Sequence, residues 1–215
     1  MQDLSQVVYA IGRSTPSGVQ ILGTAFAVAF NRIATAFHVV GGDDSNLVLI
    51  LPRMSSFDDY QDTTDGVLKL YPVTIAAADP LHDLCVLGLA DGFVSFGYSL
   101  GGADDVRVGE SLVTLGFPHA NMGRLVLTQQ QAAVGARVLI DNRGEKNKHI
   151  VMNVQAREGQ SGGPVFDSAM KKVVAVLLGS YAPAGGGGIS LGGVDPHTLH
   201  QTTHAISAEY LKAML

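Results

Sequence analysis

The sequence predicts an all-β protein: two six-stranded antiparallel barrels with a short C-terminal helix. Three observations predict it. The apolar residues of this 215-residue chain come in short runs between turn residues, not at helical spacing over long windows. Glycine is abundant, with 26 residues beside 8 prolines, which supplies many sharp turns. The runs number about a dozen and fall into two groups, and closing each group into a barrel would remove its exposed sheet edges.

In chain order, residues 7–11 read as a strand, and Ser14-Thr15-Pro16-Ser17-Gly18 as a turn. Residues 19–30 are apolar, rich in small side chains and punctuated by Gly23. Residues 32–40 form a further strand that leads into a short turn or helical segment, and 46–51 another strand. Residues 52–66 hold Asp58, Asp59, Asp62 and Asp65 and read as an exposed acidic loop. Strands at 68–78 and 84–89 flank the turn Asp79-Pro80-Leu81-His82-Asp83. The polar stretch 93–105 is expected to connect two halves, which divides the chain into 1–98 and 99–215. Beyond it, residues 111–116, 125–133, 136–140, 149–154 and 172–178 are strand-like. Residues 141–148 make a hairpin tip around Asn142-Arg143-Gly144. Residues 184–193 contain four glycines in a row and read as a mobile loop. Residues 207–215 fit a short terminal helix with Ser207 as N-cap.

Composition excludes several functions. An apolar share of 47% is enough to build a core and excludes general disorder. The net charge of −5 argues against a nucleic-acid partner, and no apolar run is long enough to span a membrane. Cys85 is the single cysteine, so no intrachain disulfide forms and a four-cysteine zinc site is excluded. A reducing compartment is modestly favoured. With Met1 as the native start and no signal-like beginning, a cytoplasmic location is expected; a trimmed chain would fit the periplasm or secretion.

The sharpest local feature is Glu158-Gly159-Gln160-Ser161-Gly162-Gly163-Pro164. A serine between glycines suits a nucleophile on a tight turn, where the backbone comes close to a substrate and aims its N–H groups at an oxyanion. The same string could be an ordinary glycine-rich turn. It also satisfies G-x-S-x-G, which requires an Asp and then a His downstream. Asp195 and His204 lie there, but no alternation of strands and helices surrounds them. A serine nucleophile needs a base, and His38 lies in Ala34-Thr35-Ala36-Phe37-His38-Val39-Val40. The base needs an orienting group, and Asp83 stands directly before the apolar strand 84–89. An inward Asp there requires a hydrogen-bond partner, which an imidazole N–H would supply. Otherwise His38 is a core or turn histidine and Asp83 a turn former.

The order His, Asp, Ser, with the first two in one half and the serine in the other, matches a known triad order. With these motifs the chain resembles a trypsin-like serine peptidase of the chymotrypsin fold, in the HtrA/Deg-like bacterial branch that lacks disulfides, here without a PDZ domain. Gly23-Thr24-Ala25-Phe26 followed by the His38 motif resembles the family's first strand pair and histidine motif. Asp83-Leu84-Cys85-Val86-Leu87 resembles its aspartate motif, residues 110–118 its second barrel's first strand, and Gly159 to Pro164 its serine motif. The similarity runs over residues 7–212.

The resemblance implies an endopeptidase acting through His38, Asp83 and Ser161, with the N–H groups of Gly159 and Ser161 as oxyanion hole and no cofactor or metal. It implies a protein or peptide substrate, and leaves room for an activating partner or a homo-oligomer. The rival reading is a silent or partner-activated binding protein of the same fold, with loop 154–160 as its switch. Family alignment places the specificity pocket at Gln155, Ala156, Gly179, Ser180 and Tyr181. Gln155 stands where trypsin proper has an acidic residue, so preference for Lys or Arg is not expected. A small or medium apolar side chain, or a polar one bonding Gln155, is expected instead. His197, His200 and His204 read as surface histidines rather than zinc ligands, with His204 close to the pocket. His82 is expected to be exposed, and Cys85 buried and inert.

Overall fold

The computed structural model describes residues 4–90, 97–181 and 202–215. The loop 184–193, together with His197 and His200, lies outside the described residues. The first six strands come from the apolar runs between turns. They are β1 (Val8–Thr15), β2 (Gly18–Ala29), β3 (Arg32–Ala36), β4 (Leu47–Ile50), β5 (Leu70–Asp79) and β6 (Leu84–Leu89). They close into a barrel in the order β1-β2-β3-β6-β5-β4, every pairing antiparallel. On its strands Ile11, Phe26, Ile33, Leu49, Leu84 and Leu87 are all fully buried or nearly so. A single helical turn, α1 (Phe37–Val40), follows β3.

The second group comprises β7 (Ser99–Leu100), β8 (Ser111–Gly116), β9 (Thr128–Asn142), β10 (Glu145–Met152), β11 (Pro164–Asp167), β12 (Lys172–Tyr181) and β13 (Thr202–Ser207). Six of them run in the order β11-β8-β9-β10-β13-β12, and the β11–β12 pairing closes the ring. The expected two six-stranded barrels are therefore present. Short β7 adds a seventh strand to the second, parallel to β12. One apolar cluster runs through both barrels, from Phe26 and Leu87 to Leu115, Phe117 and Phe166.

Several local expectations need correction. The two strands expected at 125–133 and 136–140 are one bent strand, β9, which starts at Thr128. A register shift opposite Val151/Met152 leaves Gly135 as the extra residue. A side chain at Gly135 would collide with Asn153, its Cβ lying 2.5 Å from Oδ1. The hairpin tip is tighter than expected: β9 reaches Asn142, β10 starts at Glu145, and Arg143 and Gly144 both have positive φ. The terminal helix is of the 3-10 type, Ala208–Met214. Ser207 does not cap it; its hydroxyl instead accepts from Ala103 N–H at 2.8 Å.

The acidic loop is tied down rather than free. Met54 within it is buried. Gln61 clasps the second barrel, donating to Leu127 O and accepting from Leu127 N–H, each at 2.8 Å. The connecting stretch contributes Tyr98, whose hydroxyl donates to Ala27 O and whose ring meets Phe166 edge-on.

Candidate active site

His38 stands in α1, directly after β3, and Asp83 directly before β6, the strand that pairs with β3. The β3–β6 ladder therefore brings both to one end of the first barrel. Asp83 has φ of +55°, a left-handed conformation that Asp tolerates better than most residues. The turn aims its groups at α1. Its carbonyl accepts from Phe37 N–H at 2.9 Å, Oδ1 accepts from His38 N–H at 2.8 Å, and Oδ2 lies 2.6 Å from His38 Nδ1. With both carboxylate oxygens engaged, His38 Nδ1 carries the proton that the carboxylate accepts, which leaves Nε2 as an acceptor.

Ser161 comes from the second barrel on the loop between β10 and β11. The loop is docked on β2 and β3 through small residues. Thr24 N–H donates to Ser161 O at 2.9 Å, and a Cβ on Gly23 would come within 2.8 Å of that oxygen. Buried Thr24 Oγ1 donates to Gly159 O at 2.7 Å and accepts from Phe117 N–H at 3.1 Å. Gly159 and Gly162 have φ of +91° and +85°, and a Cβ on Gly162 would collide with Thr35 Oγ1. Glycine at both positions is thus required by φ and by space.

Two side chains brace this loop that the sequence reading passed over. One is Thr24. The other is Gln160, buried beside the serine, whose Oε1 accepts from Arg157 N–H at 2.7 Å and closes the turn 157–160. The signal was a polar residue inside an otherwise glycine-dominated motif, which only burial makes informative. Among the described residues, the N–H groups of Gly159 and Ser161 donate to no other group, so they remain available to a developing oxyanion. Ser161 Oγ donates to Leu178 O on β12 at 2.8 Å rather than to His38.

A cleft of about 260 Å³ opens beside Leu178, lined by His38, Asp83, Ile140, His149, Leu178, Gly179 and His204. Of the five residues expected to form the specificity pocket, Gly179 lines this cleft. Gln155 and Ala156 lie outside its lining: Gln155 Oε1 accepts from Arg157 Nη1 at 2.6 Å, and Ala156 N–H donates to Thr203 Oγ1 at 2.8 Å. Ser180 and Tyr181 continue β12, but their side chains are outside the described residues. His204 lines this cleft. His149, unremarked in the sequence, joins it. Burial and the neighbouring His204 push the His149 imidazole down to about 4, and burial also lowers His204.

His82 is not exposed: its ring stacks on Tyr210 at 3.9 Å and its Nδ1 lies 2.6 Å from Asp79 Oδ2. Cys85 is fully buried on β6, and desolvation pushes its thiol up to about 12, which leaves it inert as a nucleophile.

Comparison with known proteins bears on this geometry. Residues 23–176 match the family described as trypsin-like peptidase domain. A probable periplasmic serine endoprotease, DegP-like, from Rickettsia prowazekii is 28% identical over 176 residues, 80% of this chain and 30% of that protein. A protein of the same description from Brucella suis is 29% identical over 166 residues, 76% of this chain and 28% of its own length. The chain thus spans less than a third of the curated relatives it matches. Among solved structures, the MamO protease domain from Magnetospirillum magneticum superposes with a TM-score of 0.69 at 14% identity, covering 100% of this chain and 98% of that one. An HtrA-type protease, AlgW, with tripeptide gives 0.66 at 18% identity, covering 97% and 58%. These likenesses establish the fold.

Proposed function

The chain belongs to the trypsin-like peptidase domain family, and from that premise we propose that it is a serine endopeptidase working through His38, Asp83 and Ser161. The observation that carries the reading is the 2.6 Å contact between His38 Nδ1 and Asp83 Oδ2 at the cleft where Ser161 Oγ meets Leu178 O. The contact fixes the tautomer, so Nε2 is the base. On substrate binding the Ser161 hydroxyl turns from Leu178 O to His38 and gives up its proton as Oγ attacks the carbonyl carbon. The carbonyl oxygen becomes an oxyanion held by the N–H groups of Gly159 and Ser161, each worth about 3 kcal/mol in comparable sites. His38 then protonates the leaving amine, an acyl-enzyme remains on Ser161, and water hydrolyses it by the same steps in reverse order. Asp83 stabilises the imidazolium throughout.

The division at 1–98 and 99–215 gives each barrel one share of this chemistry: base and orienter in the first, nucleophile and oxyanion donors in the second. Protein or peptide is the substrate class, supported by the endoprotease relatives and by the tripeptide in one structural neighbour. Those relatives are described as periplasmic, which supports the second of the two locations considered from the sequence. An activating partner or a homo-oligomer remains part of this proposal. The silent-fold reading is not favoured, because all three side chains are present and the oxyanion donors are free of competing acceptors among the described residues.

Labelling with a fluorophosphonate probe, read by intact mass, tests the assignment. One adduct on the wild type and none on Ser161→Ala is expected. An adduct that survives in Ser161→Ala would remove Ser161 as the nucleophile, and none on the folded wild type would count against an assembled site.

A further inference from the structure

Two walls of the cleft are imidazoles that the proposed chemistry does not use. His149 projects from β10 and is only 8% exposed, yet its Nδ1 has no hydrogen-bond partner. Buried polar atoms are nearly always paired, so an orphan at the edge of a cleft marks where a ligand atom completes the pairing. His204 stands on the adjacent strand β13, its ring centroid 6.5 Å from that of His149. In the β12–β13 ladder His204 is opposite Gly179, so the two share a face. A Cβ on Gly179 would lie 3.7 Å from Ser161 Oγ, and the absence of a side chain there leaves space between the nucleophile and the two rings. Ile140 supplies an apolar wall to the same cleft.

We propose that His149 and His204 form a subsite for an acidic substrate side chain, Glu or Asp, held beside Leu178 and Gly179 within a residue or two of the bond that is cut. This deepens the peptidase reading and rests on it. A short apolar stem ending in a planar acceptor matches an apolar wall followed by two imidazoles. The remaining carboxylate of the cleft, Asp83, is committed to His38, so it offers little to a cationic side chain. Next to His149 in the chain, Lys148 is paired with Asp104 and Glu209, and Arg137 with Asp104, so these carboxylates are already matched by cations. Burial favours the neutral form of both rings. A carboxylate entering the cleft supplies the negative charge that lets a desolvated imidazole take a proton. An amide of the same shape supplies only a hydrogen bond.

The test is a set of peptides carrying Glu or Gln at each of the three positions preceding the scissile bond, with cleavage followed by mass spectrometry. Fluorophosphonate labelling of the same preparations reports separately on Ser161. At one position Glu is expected to exceed Gln by about tenfold or more in kcat/KM. That ratio is expected to fall to within about threefold in His149→Phe and, as a second variant should the first fail to fold, in His204→Phe. Labelled wild type that cleaves Glu and Gln peptides equally overturns the subsite and leaves the peptidase reading standing. A ratio that survives in folded His149→Phe and His204→Phe also overturns it. Wild type that neither labels nor cleaves any peptide overturns both.

Discussion

The two barrels bring unlike parts to the same seam. In the first, His38 and Asp83 sit at the ends of paired strands, and Asp83 is engaged through its backbone carbonyl and both carboxylate oxygens. In the second, Ser161 rides on a loop of turns whose carbonyls and buried side chains are anchored and whose hydroxyl rests on Leu178 O, while two of its backbone N–H groups are left uncommitted among the described residues. Thr24 anchors Gly159 O and Gln160 anchors Arg157 N–H, while the N–H groups of Gly159 and Ser161 point at no described acceptor. The proposed base is preorganised by satisfying everything around it. The proposed oxyanion donors are preorganised by satisfying everything around them except the two N–H groups themselves, and the proposed nucleophile is parked on Leu178 O. The seam works because β2 carries small residues where it meets the loop: Gly23, Thr24 and Ala25 let the serine backbone approach within hydrogen-bond distance.

Breaking the two sides separately gives the largest effects. Ser161→Ala removes the nucleophile, and kcat is expected to fall by a factor on the order of 10⁶, measured with a peptide substrate in the steady state. Retention of even a hundredth of wild-type turnover would show that another group attacks. Asp83→Asn keeps the left-handed turn, since Asn tolerates positive φ as well as Asp does, but it offers an amide where His38 needs a carboxylate. The expected loss is about 10⁴-fold in kcat with the fold intact. Equal thermal stability beside that loss would assign the effect to chemistry; a large drop in Tm would reassign it to the turn.

Thr24→Val sharpens the comparison, because it acts on the second barrel's loop from a residue of the first. Val conserves the shape but leaves Gly159 O without a donor and Phe117 N–H without an acceptor, both in buried surroundings. The stability cost is about 1–3 kcal/mol by urea unfolding. Displacement of the oxyanion donors is expected to lower kcat by about tenfold to a hundredfold. A stability loss with unchanged kcat would mean that Gln160 alone positions the hole.

The parts of this arrangement that could be read from sequence were those written locally. Short apolar runs bounded by turn residues gave β6 and β8 their bounds without error and placed the start of β12. Three motifs in order led to His38, Asp83 and Ser161. What escaped was long-range or conditional on burial. Gly135 reads as a break between two strands, and only its partner strand shows that it is a bulge within one. Ser207 has the composition of an N-cap, but a backbone amide a hundred residues away claims its hydroxyl. Gln155 is expected from alignment at the pocket, and its hydrogen bond from Arg157 could not be read from the motif. His149 carried no local signal at all, because its importance comes from an unpaired nitrogen beside a cleft assembled from six different segments.

Burial of His149 also predicts a pH dependence. Its folded-state value of about 4 lies below the ordinary 6.5, so the folded protein sheds a proton that the unfolded chain keeps. Stability is therefore full above pH 6.5 and declines as pH falls towards 4, with a slope of at most about 1.4 kcal/mol per pH unit. The downward direction for His204 adds to the same trend. Urea unfolding at pH 7 and pH 5 should show a smaller loss in His149→Gln than in the wild type. An equal loss would place the acid sensitivity in other groups.

The smallest expected effect tests whether the barrels are joined by more than their shared core. Gln61 lies in a loop of the first barrel, and its side-chain amide makes paired hydrogen bonds to the backbone of Leu127 just before β9. Gln61→Ala removes both at a site where Leu127 itself is buried, so water replaces the amide only after the loop lifts. The expected cost is about 1 kcal/mol, with faster amide hydrogen exchange at Leu127 as the local readout. The rate of Ser161 labelling should not change, because no hydrogen bond joins this clasp to Thr24 or Gln160 among the described residues. A slowed rate would show that the acidic loop transmits its position through β9 to the nucleophile, and the two barrels would then be coupled at the clasp as well as at the seam.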